Sequence, residues 1–271
     1  MTDLDQITDR NARIGALARA FQCPQDAFAG KTLLVTGAGD GIGRALALGL
    51  AAHGASVILL GRTQKKLEAV YDAIKAAGGA EPAMVPLNLE LASPNQYNEL
   101  AAMLQQEFGQ LDGLVHNAAQ LGDITPLEQY DPNTWQQVLQ VNLNAGYYLT
   151  RALLPLLKAA PNASLLFTTS SVGRKGRAFW GAYAVSKFAV EGMVQVLADE
   201  LENLTRIRIN AINPGACHTD MREKAYPGED RSLLTQPEAI LPAYYYLLSD
   251  ASVSDDKQVN GLSLDAQLPK R

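Results

Sequence analysis

An apolar strand that runs through a glycine turn into an amphipathic helix leaves a chain few folds to choose from. Residues 32–53, TLLVTGAGDGIGRALALGLAAH, have this form. A strand joined so tightly to a helix opens a βαβ unit, and the rest of the chain continues the alternation. Further short β-rich runs stand at 56–60, 83–87, 113–117, 164–169, 207–212 and 261–265. Between them lie helical stretches at 42–53, 64–77, 95–108, about 132–159, about 180–204 and 237–249. Strands alternating with helices predict a parallel sheet covered on both faces, and right-handed crossovers make it doubly wound. The expected fold is therefore α/β, a Rossmann-like sheet of about seven strands. The charged fraction of 19% against 47% hydrophobic residues suits a sheet buried on both faces.

No composition shift divides residues 30–271, so they are read as one domain. Residues 1–29 precede the first strand. Ile14, Leu17, Ala18 and Phe21 fall at helical spacing there, which predicts an accessory helix on the outside of the domain. Residues 219–236, of mixed charge with an internal Pro-Gly, read as a loop over a substrate site.

The glycine turn carries the first functional signal. In doubly wound sheets ligands bind beyond the carboxyl ends of the strands, and the first turn takes the phosphates. Glycine is required because a Cβ would hold the backbone away from a pyrophosphate, while the helix N-terminus offers free N–H groups. The spacing here is T-G-x-x-x-G-x-G, set by Thr36, Gly37, Gly41 and Gly43, with Ile42 where G-x-G-x-x-G would need glycine. NAD is usually held through its ribose 2′-OH by an acidic residue at the end of the second strand. Gly61 and Arg62 stand there instead. Glycine leaves room for a 2′-phosphate and a guanidinium grips it in bidentate fashion, so NADP(H) is favoured over NAD(H). Asp40, acidic and inside the turn, argues mildly the other way.

The second signal is TTSSVGRKGRAFWGAYAVSK, residues 168–187. Tyr183 and Lys187 are four apart in a helical stretch and share a face. An ammonium beside a phenol is expected to lower its pKa, normally about 10, and to make it a proton donor or acceptor for a carbonyl or alcohol oxygen. Alone, the pair is better read as serving packing and solubility. Ser170, thirteen residues before Tyr183 at a strand end, changes that reading, because its hydroxyl can hold the substrate oxygen against the tyrosine. Ser171 is its neighbour, but the spacing to Tyr183 selects Ser170.

These segments resemble the short-chain dehydrogenase/reductase family, over nearly all of residues 31–265. The resemblance rests on TGAGDGIG, HNAA at 116–119, Asn142 in QVNLNA, Ser170, YAVSK at 183–187 and NPGACHT at 213–219. Within the family the chain is similar to a YciK-like group of bacterial oxidoreductases. The resemblance implies an NADP-dependent hydride transfer at a carbonyl carbon, with Tyr183 as acid/base and Ser170 positioning the substrate. It implies that Asn142 holds a water that relays protons from Lys187, and that Lys187 also meets the nicotinamide ribose. Cofactor contacts are implied for Thr36, Gly37, Gly41, Ile42, Gly43, Gly61 and Arg62 on the adenosine and phosphate side. They continue through Asn88, Leu89, Asn117 and Ala118 to Tyr183, Lys187, Pro214, Gly215 and Thr219 around the nicotinamide. Asn117 and Asn142 also suit buried amides that satisfy backbone groups. The chain departs from the family in three places. Ala119 replaces a glycine, Asn88 replaces the acidic residue near the adenine, and the last strand ends DAQ.

Partners follow from what is left. The net charge of −5 disfavours nucleic acid and anionic membranes. No secretory signal and no apolar run of roughly 18 residues is present, which predicts a cytoplasmic protein without a membrane span. Cys23 and Cys217 form no disulfide framework, and the three histidines lie too far apart in sequence for a metal motif. The helices near 132–159 and 180–204 carry apolar residues on more than one face, including Leu153, Leu154, Leu156, Leu157, Phe188, Met193, Val196 and Leu197. That pattern, with the family resemblance, predicts a homodimer or homotetramer acting on a small carbonyl or alcohol. A nucleotide-binding sensor with little turnover is the competing reading, and the set Asn142, Ser170, Tyr183 and Lys187 weighs against it. An epimerase or dehydratase would need a longer chain.

Overall fold

A computed structural model describes residues 3–253 and 259–268, with side chains from residue 10 onward. Seven strands form one parallel sheet in the order β3-β2-β1-β4-β5-β6-β7. They are β1 Thr32–Thr36, β2 Ser56–Gly61, β3 Ala83–Pro86, β4 Gly113–His116, β5 Ser164–Thr168, β6 Arg208–Asn213 and β7 Ser263–Asp265. The doubly wound fold read from the alternation is the fold present. Strand order reverses between β1 and β4, which pair with Val35 opposite Val115. A crevice therefore opens between their carboxyl ends.

Period-two alternation divides the strand side chains between two cores. Leu33, Val35, Val57 and Leu59 pack on one face with helices α2 (Gly41–Ala52), α3 (Gln64–Ala76) and α9 (Leu241–Leu248). Leu34, Ile58, Leu60, Leu114 and Leu165 pack on the other with α4 (Pro94–Phe108), α6 (Ala145–Ala159) and α7 (Gly181–Leu201). Caps fix several helix starts. In α4, Pro94 occupies the first turn and Gln96 Oε1 accepts from Ser93 N at 2.9 Å. In α5 (Pro132–Leu139), Asp131 Oδ2 accepts from Thr134 N at 2.7 Å.

Four sequence expectations change. The segment 132–159 is not one helix, since a π-helical turn at Gln140–Asn144 separates α5 from α6. The wide turn places the Asn142 amide against Gln120 and Ser186, which a regular turn would carry past. The 219–236 segment is not all loop, because Thr219 Oγ1 accepts from Arg222 N and starts the short helix α8, Asp220–Ala225. The N-terminal extension forms α1 (Asp3–Arg19), which buries Ile14 and Ala18 but leaves Leu17 55% exposed. Phe21 lies past its end and packs edge-on against Tyr246. Leu153, Leu156 and Leu157 are all buried within the subunit, so they offer nothing to a partner. Tyr147, Val185, Phe188 and Val196 remain exposed on α6 and α7. Among the described residues no helix is long and apolar enough to cross a membrane.

Candidate active site

The crevice at the switch point is a cleft of about 440 Å³, a size suited to a small molecule or cofactor. Its floor is the glycine turn. Gly37 and Gly41 adopt φ of +69° and +48°, the left-handed region in which a side chain is strained. A Cβ on Gly43 would lie 2.1 Å from Gly37 O, so the third glycine lets α2 close against the turn. Thr36 lies beneath. Its hydroxyl donates to Val115 O at 3.3 Å and accepts from Asn117 N at 2.9 Å and Ala118 N at 3.0 Å. Asn117 Nδ2 donates to Thr36 O at 3.2 Å, so this side chain braces β1 against β4 while also lining the cleft.

Most residues predicted to meet a cofactor lie on the cleft wall. These are Gly37, Gly41, Ile42, Gly61, Arg62, Asn88, Leu89, Asn117, Ala118, Tyr183, Lys187, Pro214 and Thr219. Thr36, Gly43 and Gly215 do not reach it. The first two shape the turn from below, and Gly215, at φ +72°, shapes the loop beside Gln267. Asn88 Oδ1 accepts from Glu90 N at 3.1 Å, so the oxygen that could replace an acidic contact already has a partner. Asp40 is not the unopposed charge the sequence presents. It caps α2 by accepting from Gly41 N at 2.8 Å, and its other oxygen pairs with Lys66. That hydrogen bond from Lys66 holds the carboxyl below the usual range. Lys66 lies on the wall with Arg62 and Thr63, and sequence reasoning passed over it. Its place four residues after Arg62, in the first turn of α3, was the available signal.

At the inner end, β5 delivers Ser170 and α7 delivers Tyr183 and Lys187. The Ser170 side chain hydrogen-bonds the Tyr183 hydroxyl, whereas Ser171 is exposed. Lys187 is only 3% exposed. Its Nζ lies 5.5 Å from the centre of the Tyr183 ring and donates to Thr168 O at 2.7 Å. The expected lowering of the tyrosine pKa is not what this geometry gives. Burial pushes the Tyr183 phenol up to about 12, and the Ser170 hydrogen bond only partly opposes it. Burial likewise pulls the Lys187 ammonium down to about 8, partly offset by the Glu191 carboxylate. Desolvation acts on both groups and outweighs an ammonium aimed at a strand carbonyl.

The Asn142 side chain is fully engaged: Oδ1 accepts from Gln120 N at 2.7 Å, and Nδ2 donates to Gln120 O at 2.9 Å and Ser186 Oγ at 3.0 Å. It borders a small void of about 10 Å³ shared with Lys187, Thr168 and His116, room for a single water. Burial holds the His116 pKa down at about 3, so this residue is a neutral packing group stacked 4.5 Å from Phe167. Trp180 packs against Tyr183 at 5.6 Å and Tyr226 at 5.9 Å. Arg222 and Arg231 are paired with Glu229 and Glu223. The Cys217 thiol is pushed up to about 11, mainly by burial, and stays protonated.

The cleft also fits a dinucleotide on its own chemistry. It joins a phosphate-sized glycine cradle at a helix N-terminus to a polar inner end. There Thr169 Oγ1, on the wall, is buried without a hydrogen-bond partner.

A phosphate cradle at the switch point, with serine, tyrosine and lysine converging beyond it, defines a nucleotide-dependent oxidoreductase of the short-chain type. The family description "short chain dehydrogenase" matches residues 31–230, and the chain belongs to that family. It is 47% identical over 247 residues to the uncharacterised oxidoreductase YciK of Escherichia coli (strain K12), covering 91% of this chain and 96% of the relative. Among solved structures, a short chain dehydrogenase from Pseudomonas syringae is 54% identical, with TM-score 0.88, covering 91% of this chain and 98% of that one. A short chain dehydrogenase from Shigella flexneri 2a, solved in complex with NADP, is 46% identical with TM-score 0.87, covering 90% of this chain and 100% of that one.

Proposed function

We propose that the chain is a cytoplasmic, homo-oligomeric NADP(H)-dependent oxidoreductase acting on a carbonyl or secondary alcohol carbon. The observation that carries this reading is that Tyr183 and Lys187 line the cleft whose floor is the glycine turn, with Ser170 hydrogen-bonded to Tyr183. A 2′-phosphate would sit at the end of β2, where Gly61 lines the cleft, with Arg62 and Lys66 as its cations. The NADP complex of the Shigella flexneri relative supports the same preference. The turn at Gly37 and Gly41 would take the pyrophosphate, and Pro214 and Thr219 would border the nicotinamide. When bound, the nicotinamide supplies or takes the hydride.

This chain's own residues manage the proton. Ser170 holds the substrate oxygen against the Tyr183 hydroxyl. With its pKa raised by burial, Tyr183 is fully protonated at neutral pH, which suits it to donate a proton to a carbonyl oxygen. Lys187 then supports the developing phenolate, and the void beside Asn142 would hold a water connecting Lys187 onward. The exposed Tyr147, Val185, Phe188 and Val196 of α6 and α7 support a subunit interface.

A screen of aldehydes and ketones, followed by NADPH absorbance, tests the reading. Turnover is expected with at least one compound, and Tyr183→Phe should lower it by roughly 10²–10⁴-fold, the scale of general acid–base catalysis. Full turnover in that variant would remove Tyr183 from its role. Tight NADPH binding without turnover across the screen would favour a sensor.

A further inference from the structure

Arg174 stands four residues after Ser170 and is exposed, as its charge suggests, yet its guanidinium is held by hydrogen bonds from two other segments, α7 and β7. Nε donates to Glu191 Oε1 at 3.2 Å and to Ser263 Oγ at 3.1 Å. Nη1 donates to Asp265 Oδ1 at 2.8 Å, and Nη2 to Ser263 Oγ at 2.7 Å and Leu264 O at 3.2 Å. Ser263 Oγ in turn donates to Glu191 Oε1 at 2.8 Å. Asp265 Oδ1 also accepts from Asn213 Nδ2 at 2.8 Å, and Asn213 Oδ1 accepts from Gly215 N at 3.1 Å. One side chain thus ties the turn after Ser170 to the helix of Tyr183 and Lys187. Through β7 it also reaches the loop of Pro214 and Gly215. The fit is close, since a Cβ on Gly173 would lie 2.8 Å from Lys187 Cβ.

We infer that Arg174, with Glu191, is a positioning pair that fixes the Ser170 turn on the catalytic helix and sets the charge one helical turn beyond Lys187. The inference rests on the role of Lys187 given under the proposed function. Glu191 is buried, and its carboxylate is the charge that favours the Lys187 ammonium against desolvation. Arg174 compensates that carboxylate. Lys187 faces Tyr183 and Glu191 on its own helix, the Thr168 carbonyl of β5 and, across the small void, the neutral His116 of β4. Glu191 faces Arg174 from the turn and Ser263 from β7, and Asp265 meets the same guanidinium.

The two halves of the pair pull that titration in opposite directions, which separates charge from packing. Arg174→Gln leaves Glu191 uncompensated, so the Lys187 midpoint should rise by about half a unit or more, the scale of one nearby charge. Glu191→Gln removes the carboxylate, so the midpoint should fall by about as much. Arg174→Lys and Glu191→Asp keep the charges and should hold the midpoint close to the parent value. The titration is read from lysine ¹³Cε resonances of the full-length protein, with Lys187 assigned through Lys187→Arg, and so needs no substrate. With a substrate in hand, Arg174→Gln should lower kcat roughly tenfold, as a small misplacement of reacting groups does, with a smaller change in KM for NADPH. Midpoints that stay fixed, or move the same way in both Gln variants, overturn the inference. An active Tyr183→Phe instead overturns the role of the tyrosine and leaves these midpoints to be judged separately.

Discussion

Gly43→Ala puts one methyl group where the cradle has no room. Its Cβ would lie 2.1 Å from Gly37 O and 2.6 Å from Asn117 Nδ2, whereas ordinary contact begins at 3.4 Å. The turn would have to retreat from α2 by about 1.3 Å, the gap between those distances, and Asn117 is pinned to Thr36 O on the other side. Inserting a methylene into a packed site costs roughly 1–3 kcal/mol. Shared between folding and binding, that should lower Tm by a few degrees in a chain this size and raise the NADPH Kd about tenfold. Gly228→Ala is the control, because nothing lies within 4 Å of its added Cβ. Tm follows from calorimetry and Kd from NADPH fluorescence on the same preparations. A Gly43→Ala protein with parental Tm and parental NADPH affinity would refute the argument that α2 closes on the turn through this glycine.

Three further outcomes follow from the same geometry. Arg62→Ala should weaken NADPH by about 1.5–3 kcal/mol, the worth of a hydrogen bond to a charged group, and leave NADH within about twofold. Equal losses for both cofactors would remove Arg62 from 2′-phosphate recognition. The Lys187 ammonium, with its pKa near 8, loses its charge as pH rises, while Tyr183 stays protonated to about 12. The rate of carbonyl reduction should therefore be flat below about pH 8 and fall above it, and a pH profile that rises through that range would contradict the assignment. Arg208 is fully buried at the start of β6, donating to Leu247 O at 3.0 Å, Ser249 O at 2.9 Å and Asn162 O at 3.1 Å. Arg208→Met takes a donor from each of these carbonyls; Leu247 O and Ser249 O keep Ser164 and Ser252 as donors, so the cost should be roughly 1–3 kcal/mol, that of leaving Asn162 O unpaired, with kcat per folded molecule unchanged because the cleft lies at the opposite end of the strands. Urea unfolding measures the first quantity and active-site-normalised kinetics the second.

Much of the fold was legible because period and punctuation coincide in this chain. Each β-rich run ends in a turn signal before a helical stretch, and the residues of the glycine turn meet one another within a few positions. Ser170, Tyr183 and Lys187 were legible for the same reason, being carried on one strand end and one helix face. What stayed hidden depends on distant partners. Asp40 could not be seen as neutralised, because Lys66 reaches it from the next βα unit. The π-helical turn at 140–144 stayed hidden because the partners of Asn142 there, Gln120 and Ser186, lie outside the local pattern. The tyrosine pKa was misjudged because a sequence shows the charge on Lys187 but not the burial that acts on both groups. The bonds that Arg174 makes were hidden because its partners Ser263 and Asp265 lie about ninety positions away.

In the proposed reaction Tyr183 protonates a carbonyl oxygen as hydride reaches the carbon beside it. With NADPH deuterated at the nicotinamide C4 and a ketone found by the screen, mass spectrometry of the product reads that transfer. One deuterium is expected on the carbinol carbon, delivered from one face of the ring, at a rate that collapses in Tyr183→Phe. Product lacking deuterium, or labelled product formed at the parental rate by Tyr183→Phe, would contradict it.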